Sequence, residues 1–177
     1  MQGEGQHTYQ DGSVFVGNFR DAKKHGPGTV QYRDGSEFKG QFEDDKRSDR
    51  NGQFKFSNGD VFTGVFVFDN FVTGKVSYAD GGSYTGGFID GVRNGEGIWS
   101  GKNGEKYEGK WEAGLKDGYG KYIYSNGEIF RGIWKNDLKD GIGELIKRGK
   151  PNVKGLWKGE AIIKDFEGVA LFGSEIM

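Results

Sequence analysis

A chain of 177 residues with 34 glycines, only 33% hydrophobic residues and 15% aromatics cannot build an ordinary aliphatic core, so its apolar burial has to come mainly from rings in a repeated architecture. Near balance between 25 basic and 26 acidic residues excludes a global attraction to nucleic acid or anionic membrane, and the lack of cysteine excludes disulfides, a thiolate nucleophile and a zinc knuckle. The polar start, Met1 to Gly5, and the absence of any run near about 18 apolar residues lead to the expectation of a soluble cytoplasmic protein without signal peptide or membrane span.

Glycine sets the period. Gly17, Gly40, Gly64, Gly86, Gly109, Gly132 and Gly155 follow one another at 23, 24, 22, 23, 23 and 23 residues. Each of the first six lies between two rings: Phe15 and Phe19, Phe38 and Phe42, Phe62 and Phe66, Tyr84 and Phe88, Tyr107 and Trp111, Phe130 and Trp134. The seventh, Val153 to Trp157, is degenerate. Alternation along a strand puts both rings and the glycine on one face and residues such as Lys106, Glu108, Lys110 and Glu112 on the other. The bare glycine is expected to leave a hollow for a ring from a neighbouring strand.

Before each strand stands a turn pair in constant register: Asp11-Gly12, Asp34-Gly35, Asn58-Gly59, Asp80-Gly81, Asn103-Gly104 and Asn126-Gly127. Such pairs favour tight type I′ hairpin turns. A second glycine cluster, as in Gly95-Glu96-Gly97 or Gly118-Tyr119-Gly120, opens the other strand, where Tyr32, Phe56, Tyr78, Trp99, Tyr122 and Tyr124 continue the aromatic face. One unit is thus a β-hairpin.

The composite pattern, with Tyr107-Glu108-Gly109-Lys110-Trp111 running on to Gly118-Tyr119-Gly120 as its cleanest copy, resembles the MORN (membrane occupation and recognition nexus) repeat. The resemblance implies an all-β protein: an elongated, curved single antiparallel sheet of consecutive hairpins, about seven units, on the order of 65 Å long at the usual strand spacing. Residues 1–160 form the array, with a half-unit at 3–12, and 161–177 a capping strand or tail, with Val169 to Phe172 as its strand. Two units depart from the pattern. The second has an extended polar turn from Glu43 to Asn51, and the third an apolar turn from Phe68 to Val72.

Catalytic chemistry finds no footing in the residues. His25 occupies a turn position that this repeat favours for histidine, His7 lies in the half-unit, and neither has an oriented partner. No Gly-Lys pair continues with Ser or Thr as a phosphate loop would. Glu43, Asp44 and Asp45 lack the alternation of a calcium site. The expectation is a non-enzyme without cofactor or metal, and the resemblance also implies, as a further alternative, a regulatory fragment of a kinase or methyltransferase.

Repeated rings favour an adaptor that receives an extended or helical protein segment through Phe42, Phe66, Phe68, Phe71, Phe88, Trp99, Trp111, Tyr122 and Trp134. Val61, Val65 and Val67, facing away from the rings, add with Phe68, Phe71 and Val72 an apolar patch that either docking or contact with a non-ideal neighbouring hairpin explains. The family resemblance implies cytoskeletal, ciliary or membrane-linked partners. Between Lys135 and Lys164 stand eight basic and four acidic residues, densest at Lys147, Arg148, Lys150, Lys154 and Lys158. An anionic phospholipid surface is therefore the alternative partner, nucleic acid is not expected, and the terminal hairpin offers a route to a homodimer.

Overall fold

The computed structural model describes residues 2–166. Sixteen strands form one antiparallel sheet: β1 (Gly3–Thr8), β2 (Val14–Arg20), β3 (Lys23–Gln31), β4 (Glu37–Glu43), β5 (Lys46–Arg47), β6 (Asp49–Lys55), β7 (Val61–Val67), β8 (Asn70–Ser77), β9 (Ser83–Ile89), β10 (Val92–Ser100), β11 (Lys106–Glu112), β12 (Leu115–Ile123), β13 (Ile129–Lys135), β14 (Leu138–Ile146), β15 (Val153–Lys158) and β16 (Ala161–Asp165). Their hydrogen-bonded order follows the chain, with the two-residue β5 beside β4. Contacts divide the chain into two compact units, 1–92 and 93 onward, which are taken separately below. The strand expected at Val169 to Phe172 lies outside the described residues.

The two ends of each hairpin use different turns, and their assignment differs from the sequence expectation. The six Asp/Asn-Gly pairs singled out above do not form two-residue type I′ turns. They close three-residue loops in which Gly12 N–H donates to the Tyr9 carbonyl at 3.0 Å, Tyr9 N–H to the Ser13 carbonyl at 2.9 Å, and only the glycine has positive φ, 85°. Asp11 earns selection through its side chain, which accepts from Ser13 N–H and Oγ at 2.8 and 2.7 Å. Those bonds hold the Asp11 carboxyl below its ordinary pKa.

The type I′ conformation sits at the opposite ends, at Asp21-Ala22, Asp44-Asp45, Phe68-Asp69, Asp90-Gly91, Ala113-Gly114 and Asn136-Asp137, where both central residues have positive φ. Glu43 to Asn51 is accordingly no extended loop. It is a tight turn followed by β5 and a kink at Ser48, which Asp49 stitches by accepting from Gln41 N–H at 2.6 Å and Asn51 N–H at 2.7 Å.

Glycine pairs face each other across the sheet, Gly17 with Gly28, Gly64 with Gly74, Gly109 with Gly120 and Gly132 with Gly143. The hollow above them is filled not by a neighbouring strand but by the ring two residues earlier on the same strand. Phe15 folds down so that a Cβ on Gly17 would lie 2.7 Å from its Cζ and 2.5 Å from the Gly28 Cα. In unit one Phe15, Phe38, Phe62 and Tyr84 are thereby 0–1% exposed, and in unit two Tyr107 and Phe130 are fully buried. Second rings pack edge-on against the first, as Phe19 on Phe15 at 5.0 Å and Trp134 on Phe130 at 5.3 Å. In unit two the second ring is indole because its N–H finds a carbonyl: Trp111 donates to Gly97, Trp134 to Gly120 and Trp157 to Gly143, at 3.1–3.3 Å.

Candidate functional site

The second residue after each type I′ turn returns to the ring face, and at all but one of the six turns named above the chain places a cation there. Lys24 pairs in register with Phe19, Arg47 with Phe42, Lys116 with Trp111 and Lys139 with Trp134. Each charge rests on rings: Lys24 Nζ lies 5.0 Å from the Tyr9 centroid, Arg47 5.3 Å from Phe54, Lys116 4.9 Å from Trp134, Lys139 5.1 Å from Phe130, and Arg93 4.2 Å from Trp111. The next hairpin's turn then closes over the cation. Arg47 Nε meets Asp69 at 3.0 Å, Lys116 meets Asp137 at 3.5 Å and Lys139 meets Glu160 at 2.6 Å, while turn N–H groups of Asp69, Asp137 and Gly159 donate to the carbonyls of the same three basic residues. Burial alone would lower the Lys139 pKa, but its hydrogen bonds to Glu160 and Tyr124 prevail and raise it. The cation ladder is spaced like the glycines; a lysine read singly looks solvated, and so the pattern escaped the sequence reading.

At the third hairpin Phe71 takes the cation's place, 4.6 Å from Phe62 and 5.1 Å from Phe66. It therefore lies on the ring face, apart from Val61 and Val65 on the other side of the strand.

Hollows open on the ring face in each unit. In unit two, Arg93, Trp99, Trp111, Lys116, Tyr122 and Asp137 line about 270 Å³, with Trp99 and Tyr122 stacked at 6.4 Å and 25°. Burial, then the hydrogen bond to Glu105, pushes the Tyr122 phenol far up, so it stays protonated. In unit one, His7, Tyr9, Phe19, Ala22, Lys24 and Asp45 line about 300 Å³. Aromatic walls beside cations suit an apolar or planar group that carries a carboxylate. Among the described residues no three His, Asp or Glu side chains gather as metal ligands.

The structure sorts the ring candidates. Phe42, Phe66, Trp111 and Trp134 are 1–5% exposed and belong mainly to the interior of the ring layer. Phe71, Phe88, Trp99 and Tyr122 are half-buried with an accessible edge. Phe68 alone among them is exposed, at 57%, and its φ of 46° is a conformation that bulky side chains rarely adopt. Replacing it with asparagine, which tolerates that region, is expected to stabilise unit one by about 1 kcal/mol in a denaturant titration. An unchanged or lower midpoint would mean that Phe68 packs better than its exposure indicates.

The basic candidates are divided. Lys147, Arg148 and Lys150 occupy the β14–β15 connection, Lys158 lies at the far end of β15, and Lys154 approaches Glu144 at 3.6 Å. Glu144 is 2% exposed and accepts from Arg131 Nε at 2.7 Å and Asn152 at 3.1 Å. Burial would raise its pKa, but those bonds and the charges of Arg131 and Lys154 hold it below the usual carboxylate range. The resulting stability is present above the unfolded value of about 4.3 and is lost as pH falls through the lower folded value. Thermal midpoints from about pH 5 to pH 3 are therefore expected to fall more steeply for the native chain than for Glu144→Gln, whereas parallel curves would remove Glu144 from the acid response.

The MORN repeat sequence profile matches residues 1–14, 15–37, 84–106, 107–129 and 130–148. The interval 38–83 contains the two irregular hairpins. No curated protein matches the chain. Among solved structures, the Drosophila melanogaster SAS-4 (dCPAP) TCP domain in complex with a proline-rich motif of Ana2 (dSTIL) is 17% identical, with 88% of this chain and 79% of that one covered and a TM-score of 0.49. The TCP10 domain of Danio rerio CPAP in complex with a STIL peptide is 14% identical over 91% and 77%, also at 0.49.

Proposed function

The chain belongs to the MORN-repeat family, and from that premise we propose that it is a non-enzymatic cytoplasmic adaptor holding a segment of a cytoskeletal, ciliary or membrane-linked protein against its ring face. One observation carries the reading: Trp99, Trp111 and Tyr122 converge with Arg93 and Lys116 on a single hollow, so apolar contact and charge recognition are available side by side. The partner's apolar side chain lies against the edges of Trp99 and Tyr122, and its carboxylate turns toward the two cations. Phe71, Phe88 and the protruding Phe68 make the corresponding surface of unit one. Purification of the tagged chain from its native cell at physiological salt, beside Trp99→Ser/Tyr122→Ser, is the test. A near-stoichiometric partner should accompany the native chain and fall about tenfold or more with the double variant. Equal recovery with a folded variant would end this reading.

Attachment to an anionic membrane is the second reading, supported by Lys147, Arg148 and Lys150 in one exposed connection. It requires anionic-lipid-dependent vesicle binding that those three cations control.

A further inference from the structure

The face of the sheet away from the rings changes character along unit two. The outward residue beside each paired glycine varies in character in the earlier hairpins, where Pro27 opposes Gln41, Val65 opposes Thr73 and Glu96 opposes Lys110. In the last four such strands it becomes apolar: Tyr119 on β12 opposes Ile133 on β13, and Ile142 on β14 opposes Leu156 on β15. Ile133 also leans over the next strand, since a Cβ on Gly141 would lie 3.1 Å from its own Cβ. Tyr119, Ile133 and Ile142 are 48%, 38% and 43% exposed. Single exposed apolar residues, such as Val16 and Ile98 on the same face, are ordinary, but a contiguous row across four strands is not.

Beside this row runs a charged one in which Lys121 opposes Arg131, Arg131 opposes Glu144 and Glu144 opposes Lys154. Glu144 is buried and bridged by Arg131 and Lys154, and Glu108 faces Lys121 from β11, so cations outnumber carboxylates along this row. On the other flank Asp140 opposes Lys158, so charges of both signs stand there. A uniformly anionic lipid surface would meet the carboxylates of Glu108 and Asp140 as well as the cations, whereas a segment can place its charges one by one. A second copy would set Lys121 and Arg131 against like charges, and the row is far smaller than the roughly 800 Å² per partner of a stable dimer.

We propose that the outer face of β12–β15 is a second docking surface, for a short acidic amphipathic segment of a partner protein. The segment's apolar side chains cover Tyr119, Ile133, Ile142 and Leu156, and its carboxylates lie over Lys121 and Arg131. Four strands at about 4.8 Å span roughly 14 Å, the length of about ten helical residues.

The test is selection of binders from a random display library of peptides about fourteen residues long against the full chain, followed by titration of the recovered peptides. An acid-rich amphipathic class is expected, about tenfold or more weaker on Ile133→Lys/Ile142→Lys, severalfold weaker on Lys121→Gln, unchanged on Trp99→Ser/Tyr122→Ser, and weakened by salt between about 0.05 and 0.5 M. Circular dichroism checks the folds, and Ile133→Ser/Ile142→Ser replaces the lysine variant if that one unfolds. The proposal is overturned if no recovered class depends on Ile133 and Ile142, or if the dependent class is neutral or basic. It is equally overturned by a dimer, or by anionic-vesicle binding, that the same substitutions abolish.

Discussion

Gly17→Ala is expected to destabilise unit one by about 3 kcal/mol or more, although it adds a single methyl group in an extended strand. The added carbon would fall 2.5 Å from the Gly28 Cα and 2.7 Å from both the Pro27 carbonyl oxygen and the Phe15 ring. Two of those neighbours are backbone and cannot step aside without parting β2 from β3. The ring is fully buried and has no other place to go. Gly35→Ala is the matched control: its φ is +85°, yet nothing lies within 4 Å of the new carbon, so only the conformational penalty of about 1 kcal/mol applies. Denaturant titrations of both variants decide the matter. If Gly17→Ala proves no worse than Gly35→Ala, close glycine approach is not what holds the sheet together.

Phe130→Ala carries the other large effect, about 4 kcal/mol, because it removes transfer energy and leaves a cavity that cannot close. The ring lies over Gly132 and Gly143, which have no side chains to fill the space. Its walls are Trp134 and Trp157, at 5.3 and 5.4 Å, and each indole is tethered through its N–H to a backbone carbonyl. Lys139 loses one of its supporting rings as well, with its ammonium left 3% exposed and still bound to Glu160. Unfolding followed by tryptophan fluorescence reads the loss, and Phe130→Leu should recover more than half of it. A cost near 1 kcal/mol for the alanine would show that the two indoles collapse into the gap.

The hairpin repeat, the ring pairs and the polar alternation of β11 were legible because each depends only on spacing and residue class. Turn type was not. Asp-Gly and Asn-Gly serve both two-residue and three-residue loops, and the choice rests on whether the Asp or Asn side chain bonds the N–H two residues on, as Asp34 does with Ser36 at 2.9 Å. The true type I′ positions carry pairs such as Asp21-Ala22 and Phe68-Asp69, which no composition rule would select. Of the ring candidates, Phe42 and Trp111 were correctly assigned to the aromatic face, but how deep a ring lies depends on the ring stacked beside it. Lys116 shares the parity of Gly118 and Gly120, so its face could be read. That it rests on Tyr107, Tyr122 and Trp134 could not, because a lysine becomes part of an interior only when neighbouring strands surround it with rings.

The backbone clasps between successive hairpins share one form. Asp45 N–H reaches back to the Lys24 carbonyl, Asp69 to Arg47, Gly114 to Arg93, Asp137 to Lys116 and Gly159 to Lys139. Where the later turn carries Asp the bond is returned, because Lys24, Arg47 and Lys116 N–H donate to the carboxylates of Asp45, Asp69 and Asp137. During synthesis each hairpin can close on its own and land on a finished predecessor, with no contact waiting for a distant part of the chain. A nascent chain can therefore add hairpins one after another, each held by the one before it.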